Sequence, residues 1–208
     1  MTELNRRTRR YAAWAVAAAV LVTCTVLPPS LNPRMFRAGG AAHAAEACAV
    51  RTPVLVAGGT PAGVAAAVSA ARAGMPVYLT EARPYLGGDV TGPMVNTFDM
   101  DFGRGGRDLA QGVFWDIYRR LGTTFDVERA KRVFMDEVRG TPGITLTLRT
   151  APVAVLRQGP WVTGVTFRAA GGGRYTVCAA RIIDATDDGD IAAMAGAPYT
   201  LEIGRAHV

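Results

Sequence analysis

Between Val54 and Gly88 the chain reads strand, glycine turn, helix, strand, and that order leaves few folds open. Val54-Leu55-Val56-Ala57 is a short unbroken apolar run, the pattern of a parallel strand buried on both faces. Gly58-Gly59 makes a tight turn. Thr60 is a good N-cap, and Pro61 suits the first helical turn because the N–H it lacks would have no partner there. Ala62 to Ala73 predicts a thin, alanine-rich helix that can lie close against the strand; Gly74 ends it and Met75-Pro76 prevents continuation. Val77 to Thr80 supplies a second strand with Glu81 at its carboxyl end. A β-turn-α-β unit of about thirty residues predicts an α/β fold on a parallel sheet.

The unit has a chemical use. A dinucleotide pyrophosphate needs backbone N–H groups at a helix N-terminus, a close approach free of side chains, and the positive end of the helix dipole. The turn Gly58-Gly59-Thr60-Pro61-Ala62-Gly63 provides these. Against the G-x-G-x-x-G pattern the middle glycine is replaced by Thr60, so the pyrophosphate passes a side chain whose hydroxyl can donate to it. Glu81, 23 positions beyond Gly58, stands where a carboxylate accepts ribose hydroxyls.

Ahead of this unit the chain reads as an export leader. Residues 1–10 are polar and arginine-rich, and Tyr11 to Leu27 is a run of 17 residues without a charge that stops at Pro28-Pro29. Seventeen residues lie at the lower edge of what spans a bilayer. Ala42-His43-Ala44 offers a small-residue cleavage site, and Arg9-Arg10 fits a twin-arginine signal, so cleavage with export and retention as a membrane anchor through residues 11–27 both stay open. The net charge of +6 does not point to nucleic acid: six arginines and one glutamate before position 45 carry +5 of it. Of the three cysteines, Cys24 lies in the leader; Cys48 and Cys178 are compatible with a disulfide in an exported chain, but two buried small side chains is the preferred reading.

After Gly88 comes an irregular segment, Asp89 to Gly106, then helical spacing from Leu109 to Leu121 and a second helix capped by Asp126 and broken at Gly140-Thr141-Pro142-Gly143. Ile144 to Leu148, Val153 to Leu156, Val162 to Phe167 and Tyr175 to Cys178 predict short strands, read as an antiparallel meander. Arg181-Ile182-Ile183-Asp184 begins a separate buried strand that returns to the parallel sheet, followed by a helix through Ala195.

Four motifs now stand in order: Gly58 to Gly63, Glu81-Ala82-Arg83, Leu86-Gly87-Gly88, and Ile183-Asp184-Ala185-Thr186-Asp187-Asp188-Gly189-Asp190. Together they resemble the FAD-dependent oxidoreductases of the glutathione-reductase-like FAD-binding fold, most nearly the proteins described as xanthan-lyase-like, over roughly Val54 to Tyr199. The resemblance implies a Rossmann-like three-layer fold, a parallel sheet with an antiparallel β-meander, incomplete at the carboxyl end. It implies that Gly58, Gly59, Thr60, Pro61, Ala62 and Gly63 hold the pyrophosphate of FAD, while Glu81 and Arg83 hold the adenosine half. Gly87 and Gly88 pass the ribityl or flavin portion, Val153 meets adenine through its backbone, and Ala185, Thr186 and Asp187 flank the cofactor. The last motif usually reads Ala-Thr-Gly, and Asp187 departs from it. An NAD(H)-dependent dehydrogenase would use the first turn and Glu81, but gives no reason for Gly87-Gly88, the meander or the late motif; a noncatalytic exported module retaining the fold is the other alternative.

The expected division is therefore 1–44 as export signal or anchor, 45–201 as a partial FAD-binding domain, and 202–208 as a non-native tail whose Glu-Ile-Gly-Arg-Ala-His-Val resembles a translated sequencing adapter. Both histidines, His43 and His207, fall outside the central part, so no histidine base or histidine metal site is expected there. Asp99, Asp101, Asp188 and Asp190 are carboxylates of loop type, none of which is assigned to catalysis. The expected substrate is a small molecule of unspecified class.

Overall fold

The computed structural model describes residues 48–200 except 94, 101, 107 and 108. The leader, the segment 11–27, Asp101 and the tail 202–208 lie outside the described residues.

Six strands form one mixed sheet: β1 (Val50–Ala57), β2 (Val77–Thr80), β3 (Ile144–Thr147), β4 (Thr150–Gln158), β5 (Trp161–Ala169) and β6 (Arg174–Asp184). Their order across the sheet is β3-β2-β1-β6-β5-β4. The pairs β3·β2, β2·β1 and β1·β6 are parallel, and β6·β5 and β5·β4 antiparallel. Helix α1 (Pro61–Arg72) crosses from β1 to β2; α2 (Val113–Leu121) and α3 (Val127–Arg139) lie between β2 and β3; a short α4 (Asp190–Met194) follows β6.

Alternation along β1 distributes its side chains between two cores. Val54 and Val56 pack with Val64, Ala67 and Val68 of α1, Ile117 of α2 and Phe134 of α3. Leu55 and Ala57 turn the other way and pack with Val165, Phe167 and Val177 of the meander, with Tyr78 and Tyr175 at the margin. Helices, parallel sheet and meander therefore make three layers. Leu55 and Val56 have no exposed surface, which is worth about 1.5–3 kcal/mol for each side chain. Within the parallel sheet Thr147 Oγ1 donates to the Tyr78 hydroxyl at 2.8 Å, and toward the meander the Tyr78 and Tyr175 hydroxyls are 3.3 Å apart. Burial, and next the bond to Tyr78, push Tyr175 up to about 12.

Three expectations are corrected. Tyr175–Cys178 and Arg181–Asp184 are one strand, because β1 supplies a parallel partner from Val177 to Asp184 while β5 pairs antiparallel with the first half. The first helix after the irregular segment begins at Val113 rather than Leu109, with Gly112 at its N-cap. Cys48 and Cys178 are joined in a disulfide, Cα–Cα 5.6 Å, rather than being two separate thiols. The pairing of Arg51 with Cys178 across β1 and β6 brings the cysteines together.

Candidate functional site

Everything in the candidate site hangs on the carboxyl ends of β1, β2 and β6. Gly58 leaves β1 with φ +108°, and a Cβ there would stand 2.1 Å from the Ala185 carbonyl oxygen, so this turn excludes any larger residue. Gly63 is bound by the same closeness: its Cβ would meet the Gly58 oxygen at 1.9 Å. Ala185 N donates to Ala57 O at 2.8 Å, seating the late strand against the turn.

Thr60 caps α1 as expected, its Oγ1 accepting from Gly63 N at 3.1 Å. Its hydroxyl hydrogen is committed to the Ala185 carbonyl at 2.9 Å, and the residue is 8% exposed. The hydroxyl is thus spent on joining the helix to the late strand, and its donation goes to Ala185 instead of outward. The Thr60 methyl group stands on the Gly88 side, where a Cβ added at Gly88 would lie 3.1 Å from Thr60 Cγ2.

Glu81 is almost fully buried, at 4% exposure. Its carboxylate bridges two amides: Oε2 accepts from Gly59 N at 2.6 Å and Oε1 from Arg83 N at 2.7 Å. Charge-assisted bonds of this length are the strong ones. On its other side Gly59 O accepts from Gly87 N at 2.8 Å. One glycine therefore joins the turn after β1, the acid after β2 and the Gly87-Gly88 doublet.

Arg83 reaches across to the late loop, with Nη1 2.7 Å from Asp187 Oδ2. That bond raises the Arg83 pKa above its ordinary value. Asp187, absent from the usual motif, is accommodated by this partner. Thr186 is turned inward: its hydroxyl donates to Asp184 Oδ1 at 2.7 Å and accepts from Asp190 N at 2.8 Å.

The structure brings Gly58, Gly59, Thr60, Gly63, Glu81, Arg83, Gly87, Gly88, Ala185 and Asp187 into one cluster, with Pro61 and Ala62 in the first turn of α1. Val153 stands on the edge strand β4, at a register shift between Pro152 and Ala154. It connects to the rest through Thr150, whose N–H donates to Glu81 O at 2.9 Å. Asp99, Asp188 and Asp190 are exposed. Among the described residues no group of three or more His, Cys, Asp or Glu could hold a metal ion.

Sequence reasoning missed three contributors. Asp184 fixes the late loop, accepting also from Ala192 N at 2.8 Å; a carboxylate eight positions ahead of that amide was the available signal. Thr150 carried none. Arg149, with φ +55°, is the one non-glycine of positive φ among the described residues, and its N–H donates to Arg83 O at 3.2 Å. Nothing local marks that strain.

This cradle suits a diphosphate. Turn, helix and late strand approach so closely that side chains are excluded; Pro61 has no N–H and Gly63 N is capped by Thr60, so the Ala62 amide and the positive end of α1 are what the first turn offers an anion, and the buried acid stands at the end of β2.

The fold has known company. The structure of THI4 from Thermovibrio ammonificans matches with a TM-score of 0.53 and 19% identity, over 69% of this chain and 61% of that one. The 3-ketosteroid-delta4-(5alpha)-dehydrogenase of Rhodococcus jostii RHA1, solved with 4-androstene-3,17-dione, matches with a TM-score of 0.53 and 15% identity, over 69% and 47%. A flavocytochrome c3 fumarate reductase in its open conformation gives 0.51 and 18%, over 68% and 34%. The chain thus spans less than two-thirds of each. Among curated proteins none matches the sequence. The family model described as FAD dependent oxidoreductase matches residues 53–207, most of the chain, and the chain belongs to that family.

Proposed function

We propose that the chain is the cofactor-binding part of an exported FAD-dependent oxidoreductase that acts on a small molecule, with residues 1–44 as its export signal or, through residues 11–27, its membrane anchor. The observation that carries the cofactor reading is the double grip of Glu81 on Gly59 and Arg83, which sets a buried carboxylate beside the mouth of α1. The α1 mouth from Gly58 to Gly63 would take the diphosphate, and the remaining acceptor positions of Glu81 the ribose hydroxyls. Arg83 and the Val153 backbone would serve the adenosine half; Gly87, Gly88 and Ala185 to Asp187 would line the rest. Bound FAD supplies the two-electron chemistry. The chain's own work is to hold it and keep its adenosine half out of water.

Two further observations support the reading. Gly87 is bonded to Gly59, which sets the Gly87-Gly88 doublet against the turn; the FAD reading has a use for that doublet and the NAD(H) reading has none. The Cys48–Cys178 disulfide fits an oxidising compartment and hence export, with the twin-arginine route as one path. Among the described residues no helix is long and apolar enough to cross a membrane, so anchoring rests on residues 11–27.

The test is to express the mature part of the complete gene, purify the protein and record its visible spectrum. A flavin spectrum, with FAD released on denaturation, is expected. Folded, colourless protein that releases no FAD, or that responds to NADH alone, overturns the reading.

A further inference from the structure

Arg83 and Asp187 are 104 positions apart, and the fold joins them at 2.7 Å. The guanidinium also stands 4.0 Å from Glu81 Oε1, so one cation lies between two carboxylates. Both partners of the 2.7 Å pair keep contact with water, their side chains 32% and 29% exposed. The position of the Asp187 carboxylate matters as much as its partner. A Cβ added at Gly88 would lie 3.1 Å from Asp187 Oδ1 and 3.2 Å from Thr60 Cα, so the carboxylate is next to the N-cap of α1. A helix N-terminus with a guanidinium beside it favours an anion. Here the chain puts one of its own anions there.

We infer that Asp187 is an internal competitor for the cofactor's diphosphate, an inference that rests on the FAD reading above. Without cofactor it holds Arg83. When the diphosphate settles at the mouth of α1, Arg83, on the adenosine side, exchanges the carboxylate for an oxygen of the phosphate that the adenosine half carries, and Asp187 is left to water. The charges set the direction. Glu81, Arg83 and Asp187 sum to −1, which opposes a diphosphate; with a neutral residue at 187 they sum to zero and Arg83 is free. Because the pair is partly exposed, the exchange is inexpensive, and Asp187 tunes affinity without abolishing it.

The experiment compares the full chain with Asp187→Asn, and with Asp187→Ser as a second variant, by equilibrium titration with FAD, ADP and adenosine. Asp188→Asn, which removes the neighbouring exposed charge, is the control. FAD and ADP are expected to bind either Asp187 variant about fivefold more tightly than the parent chain, with adenosine unchanged and Asp188→Asn like the parent. Equal or weaker binding of FAD by the Asp187 variants overturns the inference and leaves the FAD reading standing. So does an equal gain in Asp188→Asn, which would make the effect one of overall charge. FAD binding to none of the chains defeats both readings together.

Discussion

Replacing Glu81 tests the centre of the site, and the expected cost is to folding as well as to ligand binding. The carboxylate satisfies Gly59 N and Arg83 N at 2.6 and 2.7 Å, and a bond to a charged group is worth about 1.5–3 kcal/mol. Glu81→Ala removes both bonds and leaves the Gly59 amide without its acceptor at a position where Glu81 itself is only 4% exposed, for a loss of about 3–5 kcal/mol. Glu81→Gln keeps the volume and one acceptor but turns a donor toward the other amide, for a loss of about 2–3 kcal/mol. Urea unfolding followed by circular dichroism reads both. With a slope of about 1–3 kcal/mol per molar urea, a 3 kcal/mol loss lowers the midpoint by at least about 1 M. If both variants unfold within about 0.5 kcal/mol of the parent chain, the bridge contributes nothing and the geometric argument for the site fails.

Other expectations follow from the same packing. Gly63→Ala, whose Cβ would meet the Gly58 oxygen at 1.9 Å, should lose about 3 kcal/mol or more in the same assay, whereas Gly171→Ala, which meets nothing within 4 Å, should be nearly neutral. The Cys48–Cys178 bridge spans 130 residues, so Cys178→Ser should lose about 4–5 kcal/mol; in the unfolded, unreduced full chain only Cys24 should react with a thiol reagent, and three thiols after reduction. Asp116 is held below the usual carboxylate range by its bond to Arg72 and then by that to Arg119. Its contribution is therefore fully present above the ordinary carboxylate pKa and lost as pH falls through the lower folded value, and Asp116→Asn should flatten that part of an acid-unfolding profile.

The β1-α1-β2 unit was legible because each part has a local cause: the apolar run, the Thr60 cap and Pro61 all act within a few residues. The same holds for Asp126, whose carboxylate accepts from Arg129 N at 2.7 Å. What was not legible depends on partners far along the chain. Nothing near Cys48 announces Cys178 until β1 and β6 are known to be neighbours. Ala179-Ala180-Arg181 looks like a break between strands, yet β1 holds it in register through Val54 and Arg181. At the site, sequence showed that Thr60 offers a hydroxyl but not that Ala185 takes it, and it marked Asp187 as a departure without showing Arg83 opposite.

The shared strand β6 also governs the order in which this domain is made. β1 finds β2 within some twenty residues, but its other edge waits for Arg181 to Asp184. During synthesis that interval lasts on the order of ten seconds. Throughout it Leu55 and Ala57, sealed in the finished protein, lack the meander that covers them, and the strand edge is open to wrong partners. The contact that closes the glycine turn is thus of long range and slow to form. A nascent chain has its glycine turn early, but the Ala185 contact that closes the turn only after β6 has emerged.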